Sequence, residues 1–371
     1  GAVQGVGGAG RRGWWGPWRG TPGSYGAAPA SKRAAAKGPW CPEMERAVLV
    51  TGGGGFIGSH ACKALKSSGF LPVTLDNLST GHADAVKFGP LVQGDVRDAA
   101  LVARTLAEHD CCATIHFAAS AYVGDRMARP GLYYDNNLAG MIGLLQGCGR
   151  AGRNLVVFSS SCATYGVPDR LPILETTPQN PVNPYGRTKL VCEWMLADHD
   201  RAHGLRHVAL RYFNAAGADP EGQLGERHDP ETHLIPLALR AASGRGGPLR
   251  IFGTDYPTPD GTCVRDYIHV QDLARAHVLA LRHLLDGGES LALNLGTGKG
   301  LSILDILGGI ARMTGRDVPV IHDARRPGDP PELVADPSAA AGRLGFRATR
   351  SDLATLLGDA APWFGLTPVG A

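Results

Sequence analysis

The stretch TGGGGFIGSH (residues 51–60) decides the fold of this 371-residue chain. It follows the β-branched strand RAVLVT (46–51) and opens a helical segment that runs to about Ser68. Strand, glycine turn and helix in this order are typical of the first βα unit of a dinucleotide-binding domain. The next strand, FLPVTLD (70–76), ends in Asp76, 18 residues after the last glycine of the turn, where an acid can bind the adenosine ribose hydroxyls. A carboxylate there repels a 2′-phosphate, so the sequence favours NAD over NADP.

The consecutive glycines allow two alignments. Gly53, Gly55 and Gly58 fit GxGxxG, whereas Gly52, Gly55 and Gly58 fit GxxGxxG. Both alignments set backbone N–H groups and a helix N-terminus against a pyrophosphate. The sequence leaves this choice open.

Short apolar strands continue to alternate with helical segments. The further predicted strands are PLVQGD (90–95), ATIHFAA (113–119), NLVVFSSS (154–161) and HVALRYFN (207–214). Strands separated by helices predict an α/β protein with a Rossmann-type, doubly wound parallel sheet.

After Asn214 the chain is richer in glycine and proline and has fewer clean strands. This change predicts a dinucleotide-binding domain over 44–213 and a smaller C-terminal α/β substrate lobe over 214–371. The stretch 264–295 regains strand-then-helix character and can fold back onto the first domain.

Charge and cysteine content exclude several classes of protein. Residues 44–371 contain 31 basic and 33 acidic residues, so this part of the chain is not expected to bind nucleic acid. No apolar run approaches the roughly 18 residues that a membrane span needs. The eight cysteines contain no CxxC pair and no Cys/His ligand cluster, which favours a reduced cytoplasm and predicts no metal site.

Residues 1–43 differ from the rest of the chain. They contain eleven glycines, four of the six tryptophans and six cations against one acid, without apolar periodicity. The composition predicts a disordered N-terminal extension, with Met44 as a natural start.

The stretch NPYGRTKL (183–190) places Tyr185 and Lys189 one helical turn apart, on the same face. An ammonium beside a phenol favours the phenolate, and lowering the phenol pKa from about 10 to near 7 requires about 4 kcal/mol. A buried pair can supply this energy, whereas a surface pair cannot.

In this setting the chain resembles the extended short-chain dehydrogenase/reductase family, and within it the bacterial UDP-glucose 4-epimerases. The motifs that carry the resemblance run in the family's order from 46 to about 345. They are TGGGGFIGSH (51–60), LDNLSTG (75–81), GDVRD (94–98), HFAASAYVGD (116–125), YYDNN (133–137), FSSSCATYG (158–166), NPYGRTKL (183–190), RYFNAAGADP (211–220), THLIP (232–236), DGTCVRDYIHV (260–270), LNLGTG (293–298) and RRPGD (325–329).

The resemblance assigns roles to three sets of residues. The catalytic set is Tyr185, Lys189 and Ser161. The expected cofactor contacts are Gly52, Gly55, Phe56, Ile57, Gly58, Asp76, Asn77, Asp95, Val96, Phe117, Ala118, Ala119, Asn137, Ser159, Tyr185, Lys189 and Tyr212. The expected substrate contacts are Ser161, Tyr185, Asn214, Leu234, Arg265, Arg326 and Asp329, the two arginines being suited to a UDP diphosphate.

The implied activity is reversible C4 epimerisation of a UDP-hexose through a 4-keto sugar, with NAD tightly bound and recycled, in a homodimer formed by helices around 132–149 and 185–199. Two positions depart from or vary within the family: Ala121 stands where some epimerases have a lysine, and Leu333 lies where the space around the sugar varies. A UDP-pentose or UDP-N-acetylhexosamine 4-epimerase therefore stays open. A 4,6-dehydratase is disfavoured because Cys162 and Ala163, not an acid, follow Ser161. An NAD-sensing binder is disfavoured because both Tyr185 and Lys189 are present.

Overall fold

A seven-stranded parallel sheet holds the glycine turn near its middle. The computed structural model describes residues 45–121, 129–326, 329–367 and 369, so the prediction for 1–43 lies outside the described residues. The strands are β1 (Arg46–Thr51), β2 (Phe70–Asp76), β3 (Leu91–Gln93), β4 (Ala113–His116), β5 (Leu155–Ser159), β6 (Arg206–Tyr212), β7 (Asn214–Ala216), β8 (Leu249–Phe252), β9 (Val264–His269), β10 (Leu291–Leu295), β11 (Gly300–Ser302), β12 (Val320–Asp323) and β13 (Glu332–Leu333).

The main sheet has the order β10-β6-β5-β4-β1-β2-β3, and all its pairs are parallel. The chain builds outward from β1 through β2 to β3, then returns and builds the other way from β4. The carboxyl ends of β1 and β4 therefore flank the crevice where open α/β sheets bind ligands. This architecture confirms the predicted Rossmann-type fold.

Helices cover both faces of this sheet. The α-helices are α1 (Phe56–Ser67), α2 (Ala99–Glu108), α3 (Pro130–Tyr133), α4 (Ala139–Ala151), α5 (Pro184–His203), α6 (Leu234–Ala242), α7 (Val270–Leu285), α8 (Ile303–Thr314), α9 (Ser338–Leu344) and α10 (Leu353–Ala360). No helix in the described part of the chain is long and apolar enough to cross a membrane.

The alternation of side chains along β1 explains the two-sided core. Val48 and Val50 point to one face, into a cluster with α1 and α7, and Leu49 points to the other, into a cluster with α2 and α4. All three are fully buried. A strand with four consecutive buried apolar residues (47–50) fits a sheet with both faces covered.

The chain after β6 adds a strand and a helix to the main sheet and also forms a separate apolar cluster. β10 is the edge strand beside β6, and α7 packs on α1. By contrast, α6, α8 and α10 bury their apolar faces in a separate cluster with β8. β9 pairs with β7, β11 and β13, while β12 pairs with β8. The predicted domain boundary near residue 213 stays a prediction.

Several predicted strands are too long at their carboxyl ends. β3 stops at Gln93, β4 at His116 and β5 at Ser159, and the stretch 207–214 is divided between β6 and β7. The reason is visible after β4, where the N–H groups of Phe117 and Ala118 both donate to the Thr51 carbonyl, so the ladder ends there.

The stretch NPYG forms the start of α5. The Asn183 side chain accepts a hydrogen bond from Gly186 N at 2.9 Å, and Pro184 occupies the first turn. Tyr185 therefore lies in the first turn and Lys189 one turn later. The helix ends at Gly204, which takes a left-handed conformation with φ of 68°.

Candidate active site

A cavity of about 1610 Å³ opens at the carboxyl edge of the main sheet. Its volume exceeds the about 300–1,000 Å³ of a site for one drug-sized ligand. The wall runs from the glycine turn, past the ends of β4, β5 and β6, to residues of β9 and α6. It therefore has room for two ligands end to end.

The glycine turn resolves the open alignment. Gly52, Gly55 and Gly58 line the cavity, and Gly53 does not. Gly52 has a φ of 74°, and a Cβ there would lie 2.6 Å from Ala118 N, while a Cβ on Gly58 would collide with the Gly52 carbonyl oxygen. Gly53 instead packs on Thr74 of β2. The glycines that line the cavity therefore follow the pattern GxxGxxG, and the turn brings the N-terminus of α1 to the cavity.

Asp76 is fixed beside this turn. Its Oδ2 accepts from Gly54 N at 2.9 Å and its Oδ1 from Leu78 N at 2.8 Å, and the residue is buried. These bonds aim the carboxylate along the cavity wall with lone pairs to spare.

The neighbouring polar residues form a chain of contacts beside Asp76. Asn77 Nδ2 donates to Asp95 Oδ2 at 3.2 Å. Hydrogen bonds from Arg97 hold the pKa of Asp95 at about 2, so this carboxylate is ionised. Asp76, Asn77 and Asp95 all line the cavity, as does Val96.

Asn137 is the one expected cofactor residue that does not line the cavity. Its Oδ1 accepts from Ser120 N at 2.7 Å, and its Nδ2 donates to Ser120 O and to Thr188 Oγ1. Its neighbour Asn136 lines the cavity instead. A π-helical turn over Tyr134–Leu138 separates α3 from α4. Such a turn adds a residue to the helical turn and so changes the side of the helix on which the following side chains lie. Asn137 therefore braces the loop after β4 from behind, which differs from the expected direct contact.

Lys189 is buried at the centre of the wall, with 3% of its surface exposed. Its Nζ donates to the Ser159 carbonyl at 2.6 Å and lies 5.7 Å from the centre of the Tyr185 ring. Burial lowers the pKa of Lys189 from 10.5 to about 8. The ammonium is thus close to the phenol ring, as the helical spacing predicted.

Ser161 completes this group at the end of β5. Its side chain caps a short 3₁₀ turn by accepting from Ala163 N at 3.1 Å, and it lines the cavity with Tyr185 and Lys189. Tyr212 is hydrogen-bonded to Ser159, and burial raises its pKa, so this second tyrosine stays a neutral phenol. The structure thus brings the three expected catalytic side chains to one wall.

A buried ion pair lies beneath this wall. Glu193, one turn after Lys189 on α5, accepts from Arg211 Nη2 at 2.6 Å and from Ser160 Oγ at 2.5 Å. Arg211 also donates to Tyr165 Oη at 2.8 Å. These bonds join α5, β5 and β6 directly under the cavity, and thus fix the relative positions of Lys189 and the end of β5.

The far end of the cavity is basic. Arg265 donates to Asp329 Oδ1 at 2.6 Å, and the Arg326 guanidinium carbon lies 3.9 Å from the centre of the Phe252 ring. All four line the cavity, as do the expected substrate contacts Asn214 and Leu234. Two planar guanidinium groups at one end suit a diphosphate.

The noted departures also face the cavity. Ala121 and Leu333 line it, so both act on the space within it. Cys162 lines it as well and is largely buried. His116, by contrast, lies in the core, bonded to Thr51 Oγ1 at 2.7 Å, and burial lowers its pKa to about 3. The His116 ring therefore packs in the core and takes no part in the cavity wall.

Sequence reasoning missed four residues of the wall, namely Glu226, His228, Glu231 and His233. Burial acts to lower the pKa of both histidines, but the two carboxylates outweigh it and raise the pKa of His228 to about 9 and that of His233 to about 10. The spacing E-x-H-x-x-E-x-H was the available signal, and the search for cysteine-based ligand patterns passed over it.

The sheet order, the glycine turn and the adjoining cavity define a dinucleotide-binding protein of the Rossmann type. Residues 48–296 match the model of the NAD dependent epimerase/dehydratase family, and the chain belongs to this family. It is 51% identical over 316 residues to a UDP-glucose 4-epimerase of Rhizobium leguminosarum bv. trifolii, covering 85% of this chain and 96% of that one.

Solved structures give the same picture. The structure of UDP-glucose 4-epimerase from Brucella ovis in complex with NAD is 59% identical with a TM-score of 0.86, covering 87% of this chain and 99% of that one. The UDP-glucose-4-epimerase from Stenotrophomonas maltophila, with bound NAD and formylated UDP-arabinopyranose, is 42% identical with a TM-score of 0.84, covering 86% and 98%.

Proposed function

We propose that this protein catalyses the reversible C4 epimerisation of UDP-galactose and UDP-glucose through a 4-keto sugar. The observation that carries the proposal is the convergence of Tyr185, Lys189 and Ser161 on one wall of a cavity that has a dinucleotide turn at one end and two arginines at the other. The 51% identity over 316 residues with UDP-glucose 4-epimerases supports the same activity.

The residues at the glycine turn fit NAD. The left-handed Gly52 and the crowded Gly58 allow a pyrophosphate to approach the start of α1, and Asp76 is held beside this turn at the end of β2, where it can bind a ribose. These residues would hold NAD, which would supply the hydride acceptor and donor for a cycle that oxidises and then reduces C4 of the sugar. Since this cycle restores the cofactor, we expect NAD to stay bound between turnovers.

The wall of the cavity supplies the acid–base chemistry. Tyr185, as phenolate, takes the proton from the sugar 4-hydroxyl and returns it to the 4-keto oxygen in the second half of the cycle. Lys189 favours the phenolate through its positive charge. Ser161 donates a hydrogen bond to the reacting oxygen. Burial excludes water from the Lys189 ammonium, which strengthens its effect.

The basic end of the cavity anchors the substrate. Arg265 and Arg326 bind the diphosphate through their planar forks, and Asp329 orients Arg265. Asn214 and Leu234 complete the contacts. Anchoring the nucleotide leaves the hexose free to turn over, so that both faces of C4 can meet the same hydride site.

The test is an incubation of the purified protein with UDP-galactose and no added NAD, followed by chromatography of the nucleotide sugars. We expect UDP-glucose to form, and the Tyr185→Phe variant to form none while keeping its bound NAD. The matched control is Tyr134→Phe, an exposed tyrosine outside the cavity wall.

Failure of conversion, even with NAD supplied, would contradict the proposal. A UDP-pentose and UDP-N-acetylglucosamine are therefore run beside UDP-galactose. The second candidate, a UDP-pentose 4-epimerase, is favoured by the relative that holds formylated UDP-arabinopyranose. A higher kcat/KM for UDP-arabinopyranose than for UDP-galactose would select it.

We further infer a homodimer. Leu132, Ile142 and Trp194 are 42%, 47% and 58% exposed, and they lie on α3, α4 and α5, close to the segments expected at the interface. Large exposed apolar side chains on adjacent helices support an association surface. Light scattering should give twice the chain mass, and Trp194→Lys should give the mass of one chain. A monomeric wild type would refute the inference.

We place the protein in the cytoplasm. Cys62, Cys111, Cys112, Cys148, Cys192 and Cys263 carry free thiols, as in a reducing compartment. Fractionation of cells that express the full chain, with activity measured in each fraction, tests this assignment.

A further inference from the structure

Two glutamates and two histidines converge at the cavity wall just before α6. The side chains of Glu226 and Glu231 are 5% and 1% exposed, and those of His228 and His233 are 25% and 39% exposed. One nitrogen or oxygen atom from each of the four residues lies within 4.8 Å of the other three. The carboxylates thus form the floor of a small polar site, and the histidines form its rim.

The separations suit one tetrahedral ion. His233 Nδ1 is 3.0 Å from Glu226 Oε1, and His228 Nδ1 is 3.1 Å from the same oxygen and 3.7 Å from Glu231 Oε2. Donors about 2.0–2.2 Å from a tetrahedral ion lie about 3.3–3.6 Å from one another. Small adjustments of these side chains would therefore place all four donors around a single ion.

A second, independent observation points to a ligand. Glu231 Oε1 is occupied, because it accepts from Thr232 N at 2.8 Å and His233 N at 2.9 Å. Its Oε2 is buried and has no hydrogen-bond partner in the described part of the chain. His228 Nδ1 lies 3.1 Å from Glu226 Oε1 and 3.7 Å from Glu231 Oε2. A buried carboxylate oxygen without a hydrogen bond is costly, and a bound cation would satisfy it.

We propose that Glu226, His228, Glu231 and His233 bind one divalent transition-metal ion of the Zn²⁺ class. Mixed nitrogen and oxygen donors favour such an ion over Mg²⁺ or Ca²⁺, which prefer oxygen alone. Two carboxylates balance its charge, and the cavity provides the entry path. Four protein ligands close a tetrahedral shell, so the ion holds structure and does not activate water.

The ion would fix one wall of the cavity. Segment 226–233 leads directly into α6, and Arg227 within it pairs with Asp84 at 2.9 Å, in the loop after β2. His82 of that loop is bonded to the Arg227 carbonyl at 2.9 Å. A metal-bound segment would therefore hold the dinucleotide side of the cavity against α6. This inference does not depend on which sugar the enzyme accepts.

The test is metal binding by the NAD-containing protein after treatment with a chelator. Titration with ZnCl₂ in a calorimeter should give one ion per chain, and Co²⁺ should give the visible absorption of a tetrahedral complex. MgCl₂ should give no binding at the same concentration. His228→Gln should weaken Zn²⁺ binding by more than about 100-fold, since even outer contacts of a metal site change affinity 10–100-fold.

Two further variants keep the test decisive. His322→Gln, an exposed histidine on β12, should bind Zn²⁺ as the wild type does. Glu231→Gln keeps the shape of the side chain and should also lose the tetrahedral Co²⁺ spectrum, while retained NAD shows that the fold is intact. Absence of Zn²⁺ binding to the wild type would overturn the proposal. Equal affinity in His228→Gln would also overturn it, because the ion would then lie elsewhere.

Discussion

Replacing Lys189 with methionine should abolish activity and yet make the nucleotide-free protein more stable at pH 7. Lys189 is almost completely buried, and burial lowers its pKa from 10.5 to about 8. At pH 7 the folded protein must hold an ammonium in a poorly solvated place. Methionine has a similar length and no charge, so it removes this cost.

The magnitude follows from the two pKa values. The difference between 10.5 and about 8 corresponds to about 3 kcal/mol, at 1.36 kcal/mol for each tenfold change in proton affinity. Against this, the Ser159 carbonyl loses its hydrogen bond from Nζ, which costs about 1 kcal/mol. The Lys189→Met protein should therefore be about 2 kcal/mol more stable than the wild type at pH 7.

The pH dependence has a definite sign. The pKa of Lys189 is lowered by folding, so between pH 8 and 10.5 the unfolded chain binds more protons than the folded one, and the stability of the wild type rises with pH. Methionine does not titrate. The advantage of the variant should therefore shrink from pH 8 upward, and above pH 10.5 the variant should be about 1 kcal/mol less stable than the wild type.

The assay is denaturation in guanidinium chloride at several pH values from 7 to above 10.5, on protein freed of bound nucleotide. Lys63→Met is a control for which the expected change in stability at pH 7 has the opposite sign. Burial acts to lower the pKa of Lys63, but Asp219 and Glu221 outweigh it and raise the pKa. Lys63→Met should be less stable than the wild type at pH 7, with a loss that fades above pH 10.5. A Lys189→Met protein that is less stable at pH 7, or a difference that does not change with pH, would refute the reasoning.

Three other perturbations test the site. Gly58→Ala should lose bound NAD, because a Cβ there collides with the Gly52 carbonyl oxygen of the glycine turn. The control is Gly149→Ala, whose added Cβ would have no atom within 4 Å, so its NAD content should be unchanged. Absorbance of the purified proteins measures the NAD content. Glu193→Gln leaves Arg211 uncompensated and should lower the free energy of unfolding by about 3–5 kcal/mol, and equal stability of variant and wild type in urea would contradict this. Arg265→Lys keeps the charge without the planar fork and should raise the KM for UDP-galactose about tenfold with little change in kcat, and an unchanged KM would remove Arg265 from the proposed diphosphate site.

Local features of the sequence carried most of these conclusions. The strand, glycine turn and helix from 46 to 67 are adjacent in the chain, so their order alone indicated a dinucleotide turn. The cap at Asn183 and the four-residue spacing of Tyr185 and Lys189 are likewise local, since a helical turn brings such residues to one face. Apolar strands between helices similarly indicated a parallel sheet with both faces covered.

Tertiary structure decided what depends on distant neighbours. Gly52 was distinguished from Gly53 by the backbone of Ala118, which lies 66 positions further along the chain. Asn136, and not the expected Asn137, lines the cavity. Both residues lie in a π-helical turn that the sequence pattern did not reveal. The place of β10 beside β6 depended on sheet pairing across about 80 residues.

The sequence by itself thus determined the alternation of strands and helices around the glycine turn and the shared helix face of Tyr185 and Lys189, because these follow from contacts within a few residues. It did not determine the lowered pKa of Lys189 or the meeting of Glu226, His228, Glu231 and His233. The pKa of Lys189 is lowered only when the folded chain removes water from its ammonium. The four side chains of segment 226–233 meet only when the folded chain holds this irregular segment in place.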